Sequence, residues 1–370
     1  MGRRKENVVN RLAVVVLYNK NGIIGDYFFF YLRKLKEICV DVVVIINGKC
    51  QQSYTQQIKS IGCQIIRREN YGYDSGAYKD YFSNCSWDLR PYDEIVLSND
   101  TFYGPFFSLK ELFDQFQKEN CDYWGITRHP AICEEGREIP SHIQSYFMVF
   151  KKKVIRSSDF TNFWINMKYA NDYREAVDNF EIALNEYLTN CGFKGSSLMD
   201  IAEENWEVKK NPYLYYSYDL IKNTKVPFLK KKALWFSAPA FEQGLNALEY
   251  LQKEALYDTR LIWQDLNSNL HVGFNEIIEF VDNHNKVFLY GAGNCGRNIA
   301  RYLKYRNRTY ESFVVTEGKE NYSNCIDICE LKLNGDDGII VAVSEKYVEE
   351  IERILQNKGI AKQQILTGIR

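Results

Sequence analysis

Residues 11–48 read RLAVVVLYNKNGIIGDYFFFYLRKLKEICVDVVVIING. Two β-branched runs, Arg11–Tyr18 and Asp41–Ile46, suit strands buried on both faces, and Asp26–Val40 between them has helical length. A strand, a helix and a second strand predict parallel pairing, because the chain must cross over a sheet face to return in the same direction. The pattern repeats outward. Gln51–Ile61 reads as a short helix, Cys63–Arg67 as a third strand, Asn70–Gly76 as a glycine-punctuated loop, and Tyr92–Leu97 as a fourth strand. Ser141–Phe150 predicts a further strand, and Asn162–Cys191 has helical spacing that closes at Gly192.

In an open parallel sheet, ligands lie beyond the C-terminal strand ends, where loop amides and helix N-termini converge. Three strands here end in polar, turn-forming groups: Tyr18-Asn19, Asn47-Gly48 and Ser98-Asn99-Asp100. Each alone is an ordinary strand terminator, but together on one rim they mark a candidate site.

Near Asn211 the pattern becomes irregular, with Pro212, Pro227 and a basic cluster at Lys225, Lys230, Lys231 and Lys232. Leu245, Leu248 and Leu251 recur at helical spacing, so 241–283 reads as a helical connector. Strand–helix alternation then restarts. Lys286–Tyr290 runs into Gly291-Ala292-Gly293-Asn294-Cys295-Gly296 and a helix, Arg297–Tyr305, which is GxGxxG in the strand–turn–helix setting that a nucleotide site needs. Ser312–Thr316 follows as a strand, with Glu317 where an acidic ribose ligand would stand. Gly338–Val343 is a third buried strand, and Ser344 is expected to cap the helix carrying Val348, Ile351 and Leu355. The chain after Asn285 is too short for a complete dinucleotide fold with a substrate domain, which argues against an NAD-dependent oxidoreductase. The expected organisation is a catalytic domain over 1–240, a connector over 241–283 and a small Rossmann-like accessory module over 284–370, which can bind a nucleotide at Gly291, Gly293, Gly296 and Glu317.

Composition narrows the partners. Lys plus Arg (47) nearly balances Asp plus Glu (48), so no overall field draws nucleic acid. The apolar run after the basic N-terminus, Leu12–Tyr18, is too short for a membrane span or a signal sequence, and the expected location is the cytoplasm. Ten cysteines lack a CxxC pair, and Cys39, Cys63 and Cys191 sit in apolar runs, as reduced, packed thiols do. With His129, His142, His271 and His284 as the four histidines, the spacing does not suggest a zinc site.

Over residues 11–235 these motifs, in this order, resemble the rhamnan synthesis protein F family of bacterial glycosyltransferases and, more distantly, the inverting GT-A enzymes of glycosyltransferase family two. The resemblance implies an α/β fold with a GT-A-type nucleotide-sugar-binding domain. Tyr18-Asn19 matches the Tyr-Asn that ends the first strand. Asn47 stands where those enzymes carry an Asp for the nucleobase, and an amide keeps the hydrogen-bonding capacity. Asn70-Tyr71-Gly72-Tyr73-Asp74-Ser75-Gly76-Ala77-Tyr78 resembles the loop that folds over the nucleotide, which implies donor contacts from Asn70, Gly72, Asp74 and Gly76. Ser98-Asn99-Asp100-Thr101 takes the place of the metal-binding DxD. It keeps one carboxylate, Asp100, for Mg²⁺ or Mn²⁺, and Lys230–Lys232 are the cations that could replace a metal at the diphosphate.

By the same resemblance Glu181, followed by Leu184, Leu188 and Gly192, takes the position of the catalytic base, with Phe180 replacing its acidic neighbour and Glu186 one turn away. His142-Ile143-Gln144-Ser145 matches a His-x-Gln-Ser stretch facing donor or acceptor. The Gln-x-x-Arg-Trp motif of processive synthases is absent. The implied reaction is transfer of one or a few sugars, with dTDP-L-rhamnose as the implied donor. The implied acceptor is a polyprenyl-diphosphate-linked glycan, which brings peripheral membrane contact. A sugar-phosphate transferase, releasing a nucleoside monophosphate, is one alternative. An inactive GT-A scaffold in a polysaccharide-assembly complex is another, and Asn47 and the incomplete DxD speak for it.

Overall fold

The computed structural model describes residues 9–83, 88–134, 136–200, 211–269, 272–316 and 323–369. The chain forms two compact units, 1–213 with 219–229, and 214–218 with 230–370. The helices of 241–283 thus fall within the second unit.

The first unit is built on β1 (Arg11–Tyr18), α1 (Asp26–Lys36), β2 (Asp41–Asn47), α2 (Gln52–Ser60), β3 (Gln64–Arg68), α3 (Tyr73–Ser83) and β4 (Glu94–Asn99). The sheet path runs β3, β2, β1, β4, then the strands Phe147–Lys151, Tyr123–His129 and Gly195–Asp200. β1 to β4 pair in parallel, with Val14 opposite Val43 on one side and Leu97 on the other. Phe147–Lys151 runs antiparallel to both of its neighbours. The β-branched runs bury because both sheet faces are covered, and Val14, Val44 and Val96 have no exposed surface. One face packs on Trp164, whose ring stacks on Phe82 at 5.1 Å and meets Phe180 at 5.6 Å. Tyr78, fully buried in the same layer, donates to the Ser98 carbonyl at 2.6 Å and so ties α3 to the end of β4.

Three expectations are corrected. The glycine loop ends earlier than its sequence suggests, because α3 begins at Tyr73 and takes Asp74 and Gly76 into its first turn. The strand expected over 141–150 is two strands, His142–Ile143 and Phe147–Lys151, separated where Gln144 and Ser145 turn inward and are buried. The helical stretch of 162–191 is interrupted after Asn166 and resumes at Tyr173 with a π-helical turn over Val177–Ile182. A π-turn carries one residue too many for α-helical register, so it re-aims the side chains around it, and such turns gather at functional sites.

The second unit holds a wholly parallel five-stranded sheet, ordered Cys325–Asp327, Phe313–Val315, Val287–Tyr290, Gly338–Val341, Ile365–Leu366. Helices Asn294–Tyr305 and Glu345–Asn357 belong to it, as do Phe241–Lys253, Arg260–Asn269 and Phe274–Asp282. A parallel sheet alternating with helices is consistent with the small Rossmann-like module read from the sequence. Ser344 stands at the N-cap position, but its side chain makes no cap hydrogen bond. All nine described cysteines are free; Cys39 and Cys63 are buried as expected, whereas Cys191 is exposed at a helix end. Among the described residues no helix is long and apolar enough to cross a membrane.

Candidate functional site

Parallel register sets Tyr18, Asn47 and Arg68 side by side at the ends of β1, β2 and β3. Arg68, missed in the sequence, organises this corner. Its guanidinium donates to the Asn47 Oδ1 at 2.9 Å, the Asp80 carboxylate at 2.8 Å and the Tyr71 carbonyl at 2.7 Å. The Asn47 amide in turn donates to the Tyr73 carbonyl at 3.1 Å. Asn47 therefore spends both ends of its amide inside the protein and acts as a strut for the loop. Asn19 likewise folds its own turn, its Oδ1 accepting from the amides of Asn21 and Ile23. Arg68→Ala should cost about 2 kcal/mol, since three acceptors lose a largely buried cation and Asp80 keeps partial solvent. Urea denaturation measures this, and an unchanged midpoint would remove Arg68 from the framework.

The loop before α3 is tight. Gly72 has a φ of +70° and Tyr73 one of +59°, a left-handed conformation costing a non-glycine residue about 1 kcal/mol. Gly76 closes the first turn by donating to the Gly72 carbonyl at 2.7 Å, and a Cβ there would stand 2.5 Å from the Tyr71 carbonyl oxygen. Asp74, in that turn, accepts from the Ser75 amide at 2.9 Å and from the Asn99 side-chain amide at 2.9 Å. Asn99 Oδ1 accepts from Thr101, so the strand end, α3 and the start of the next loop are one hydrogen-bonded corner. Asp100 follows directly, half-buried. Burial, and then the charges of Asp74, Tyr31 and Asp100, push the Tyr78 phenol up. Asn70 is exposed beside this loop.

A second cluster centres on Glu181, within the π-turn. Its Oε1 accepts from His142 Nε2 at 3.1 Å, and its Oε2 from the Ser145 amide at 2.6 Å and hydroxyl at 2.5 Å. Burial alone would raise this carboxyl, but the donors from His142 and Ser145 outweigh it and hold the group down at about 2. His142 Nδ1 faces the Pro140 carbonyl at 2.7 Å. Both ring nitrogens thus meet oxygens that can only accept, so the ring carries two protons. Burial works against that charge, yet the Glu181 contact prevails and the His142 pKa is raised. Asn185 locks the assembly, exchanging hydrogen bonds with both backbone groups of Ile143 at 2.9 Å and donating to the Glu181 carbonyl at 2.8 Å.

The Tyr173 phenol is raised by burial and then by the charges of Glu181 and Asp74. Its ring edge is nonetheless well exposed, as are Tyr18, Tyr71 and Tyr73 around the same corner. High tyrosine content hints at such a rim, but no spacing singles out these four. Glu186, the rival to Glu181, lies exposed on the following helix. Lys230 and its neighbours belong to the second unit, where Lys231 pairs with Asp265 at 3.2 Å. Gly291 there has a φ of +105°, Gly293 heads the helix Asn294–Tyr305 and Gly296 lies in its first turn. Glu317 and His271 lie outside the described residues.

A parallel-rich α/β sheet with two reversed strands, His142–Ile143 and Phe147–Lys151, thus carries this polar corner at its strand ends. The family model described as rhamnan synthesis protein F matches residues 42–290, and the chain belongs to that family. The match continues past residue 235 into the second unit. Among curated proteins, the chain is 28% identical over 190 residues to the uncharacterized protein y4gN of Sinorhizobium fredii, covering 50% of this chain and 48% of that one. It is 26% identical over 179 residues to the virulence protein VirA of Vibrio anguillarum, covering 47% and 52%. The chain thus spans about half the length of the curated relatives it matches. Among solved structures it is similar to the inositol-1-phosphate CTP transferase from T. maritima, at 13% identity and a TM-score of 0.32 over 55% of this chain and 94% of that one. The glucosyl-3-phosphoglycerate synthase from Mycobacterium tuberculosis, crystallised with Mn²⁺, UDP and phosphoglyceric acid, is similar at 11% identity and a TM-score of 0.33 over 52% and 69%.

Proposed function

We propose that the chain is an inverting glycosyltransferase of cell-surface polysaccharide synthesis, moving a sugar from a nucleotide-diphosphate donor to a hydroxyl of a lipid-linked glycan. The observation that carries this reading is the corner joined by the Asp74–Asn99 hydrogen bond, with Asp100 beside it and exposed tyrosines around it. It offers hydrogen bonds for sugar hydroxyls and ring faces for a base. Family membership supports dTDP-L-rhamnose as the donor. Asp100 would offer a hard oxygen ligand to Mg²⁺ or Mn²⁺, which binds one or two carboxylates and completes its shell with phosphates. Among the described residues no group of three or more His, Cys, Asp or Glu is placed to hold a metal ion. A bound cation would neutralise the departing diphosphate.

Glu181 serves as the proton acceptor in this reading. A carboxylate held at about 2 is a weak base. It takes the acceptor's proton only once that hydroxyl replaces His142 or Ser145 as its donor. His142 and Ser145 hold the carboxylate ionised and aimed until then. The same engagement of Glu181, with the internal role of Asn47, favours a second reading: a scaffold that binds donor without turnover.

Melting curves of wild type and Asp100→Ala against dTDP-, UDP- and GDP-sugars, with and without Mg²⁺ or Mn²⁺, test the donor site. A ligand at about 100 times its Kd stabilises by about 2.7 kcal/mol. The expected result is a rise in midpoint selective for a dTDP-sugar and lost in Asp100→Ala. No rise with any donor sinks the reading, and donor binding with no released nucleoside diphosphate moves it to the scaffold.

A further inference from the structure

A cleft of about 650 Å³ lies wholly within the second unit, between the helices Arg260–Asn269, Phe274–Asp282 and Asn294–Tyr305. Two of its walls are aromatic. The rings of Trp263 and Tyr305 are tilted only 28° from one another, with centroids 6.4 Å apart. Trp263 is held from behind by Phe274 at 5.4 Å, edge to face, and Phe274 by Tyr302 at 4.8 Å. A ring pair fixed in this way presents its surface without an ordering cost on binding.

The polar groups around it are three side-chain amides, the Ser268 hydroxyl and the guanidinium groups of Arg260 and Arg306. Asn267 is spent on structure, donating to the Trp263 carbonyl at 2.7 Å and accepting from the Asn275 backbone amide at 2.8 Å. Among the described residues, the side-chain amides of Gln264 and Asn275 make no hydrogen bond, and both line the cleft. Arg306 gives one nitrogen to Tyr302 at 3.0 Å, and Arg260 is neutralised by both oxygens of Asp258. Among the described residues no carboxylate lines the cleft.

A pyranose has an apolar face of C–H groups and a rim of hydroxyls that donate and accept. The rings match the first, and free amides, which also donate and accept, match the second. An isolated phosphate would want more than one cation without a carboxylate partner, where Arg306 alone stands, and a base would want a closed slot. We propose that this cleft is a saccharide-binding site for one to three neutral sugar units, holding a glycan to the protein apart from the donor corner. The proposal rests on the reading of the chain as a glycosyltransferase that acts on a glycan.

Saturation-transfer NMR on the full chain tests it, with an L-rhamnose trisaccharide and maltotriose as probes and dTDP as the nucleotide control. The expected result is transfer to at least one trisaccharide, at least about tenfold weaker binding in the exposed pair Gln264→Ala/Asn275→Ala, and the same loss in Trp263→Ala. The amide pair guards against a mere folding defect in the tryptophan variant. Saccharide binding indifferent to the amide pair overturns the proposal, as does dTDP transfer that the pair abolishes. No transfer to either trisaccharide, while a dTDP-sugar still raises the melting midpoint through Asp100, overturns the saccharide site and leaves the donor reading standing. Failure of both measurements removes both.

Discussion

Glu181→Gln should lower turnover on the order of a thousandfold, the usual range for removing a positioned base, with little change in donor KM. It should also destabilise the first unit by about 3 kcal/mol, because His142, 3% exposed in its side chain, loses the partner that offsets its buried charge. The pH dependence separates this ion pair from a simple packing effect. Glu181 has its pKa lowered from 4.5 to about 2, so its contribution is full above about pH 4.5 and fades as pH falls toward 2. His142 is raised from 6.5, so its contribution is full below about pH 6.5 and fades as pH rises through the higher folded value. The gap in melting midpoint between wild type and Glu181→Gln should therefore be widest between about pH 4.5 and 6.5. A gap that ignores pH would deny the ion pair. Turnover within tenfold of wild type would deny the base and leave Glu181 as the residue that positions His142 and Ser145.

Gly296→Ala should destabilise the second unit by about 3 kcal/mol, at the upper end of what overpacking costs. A Cβ at that position would lie 1.8 Å from the Gly291 carbonyl oxygen, and the obstacle is backbone with no rotamer to yield. Gly293 offers the contrast: a Cβ there meets nothing within 4 Å. Gly293→Ala should leave stability within about 0.5 kcal/mol of wild type, as surface changes do. Hydrogen exchange of the amides of Val287–Tyr290 and Gly338–Val341 reads both variants. Equal effects of the two substitutions would show that the loop's glycines are not kept by helix–strand contact.

The parallel strands β1 to β4 and the first strands of the second unit were legible in the sequence, because β-branched runs between helical lengths favour a parallel sheet covered on both faces, whereas the strands Tyr123–His129 and Gly195–Asp200 carried no such signal. The polar strand ends were legible too, since register carries neighbouring strands to a common rim: Tyr18, Asn47 and Arg68 fall in one row from the pairing alone. Glu181 was singled out by resemblance, and the structure sets it against His142 and Ser145. What each polar group does there was not legible. Asn47 reads as a free amide until Arg68 and the Tyr73 carbonyl arrive from other segments, and Arg68 reads as an ordinary strand-end cation. Hydrogen bonds between residues tens of positions apart depend on where the chain returns, which local pattern does not encode.

The sequence by itself determined the order and parallel character of β1 to β4, because side-chain period and burial are local properties. It determined likewise the glycine turn before the last sheet's first helix. Only the tertiary structure decided that α3 takes in Asp74 and Gly76, that a π-turn aims Glu181 at His142 and Ser145, and that Trp263 and Tyr305 share one cleft. Each of these rests on a contact between segments distant in sequence, where free energy depends on packing geometry and on which polar atoms are left to pair.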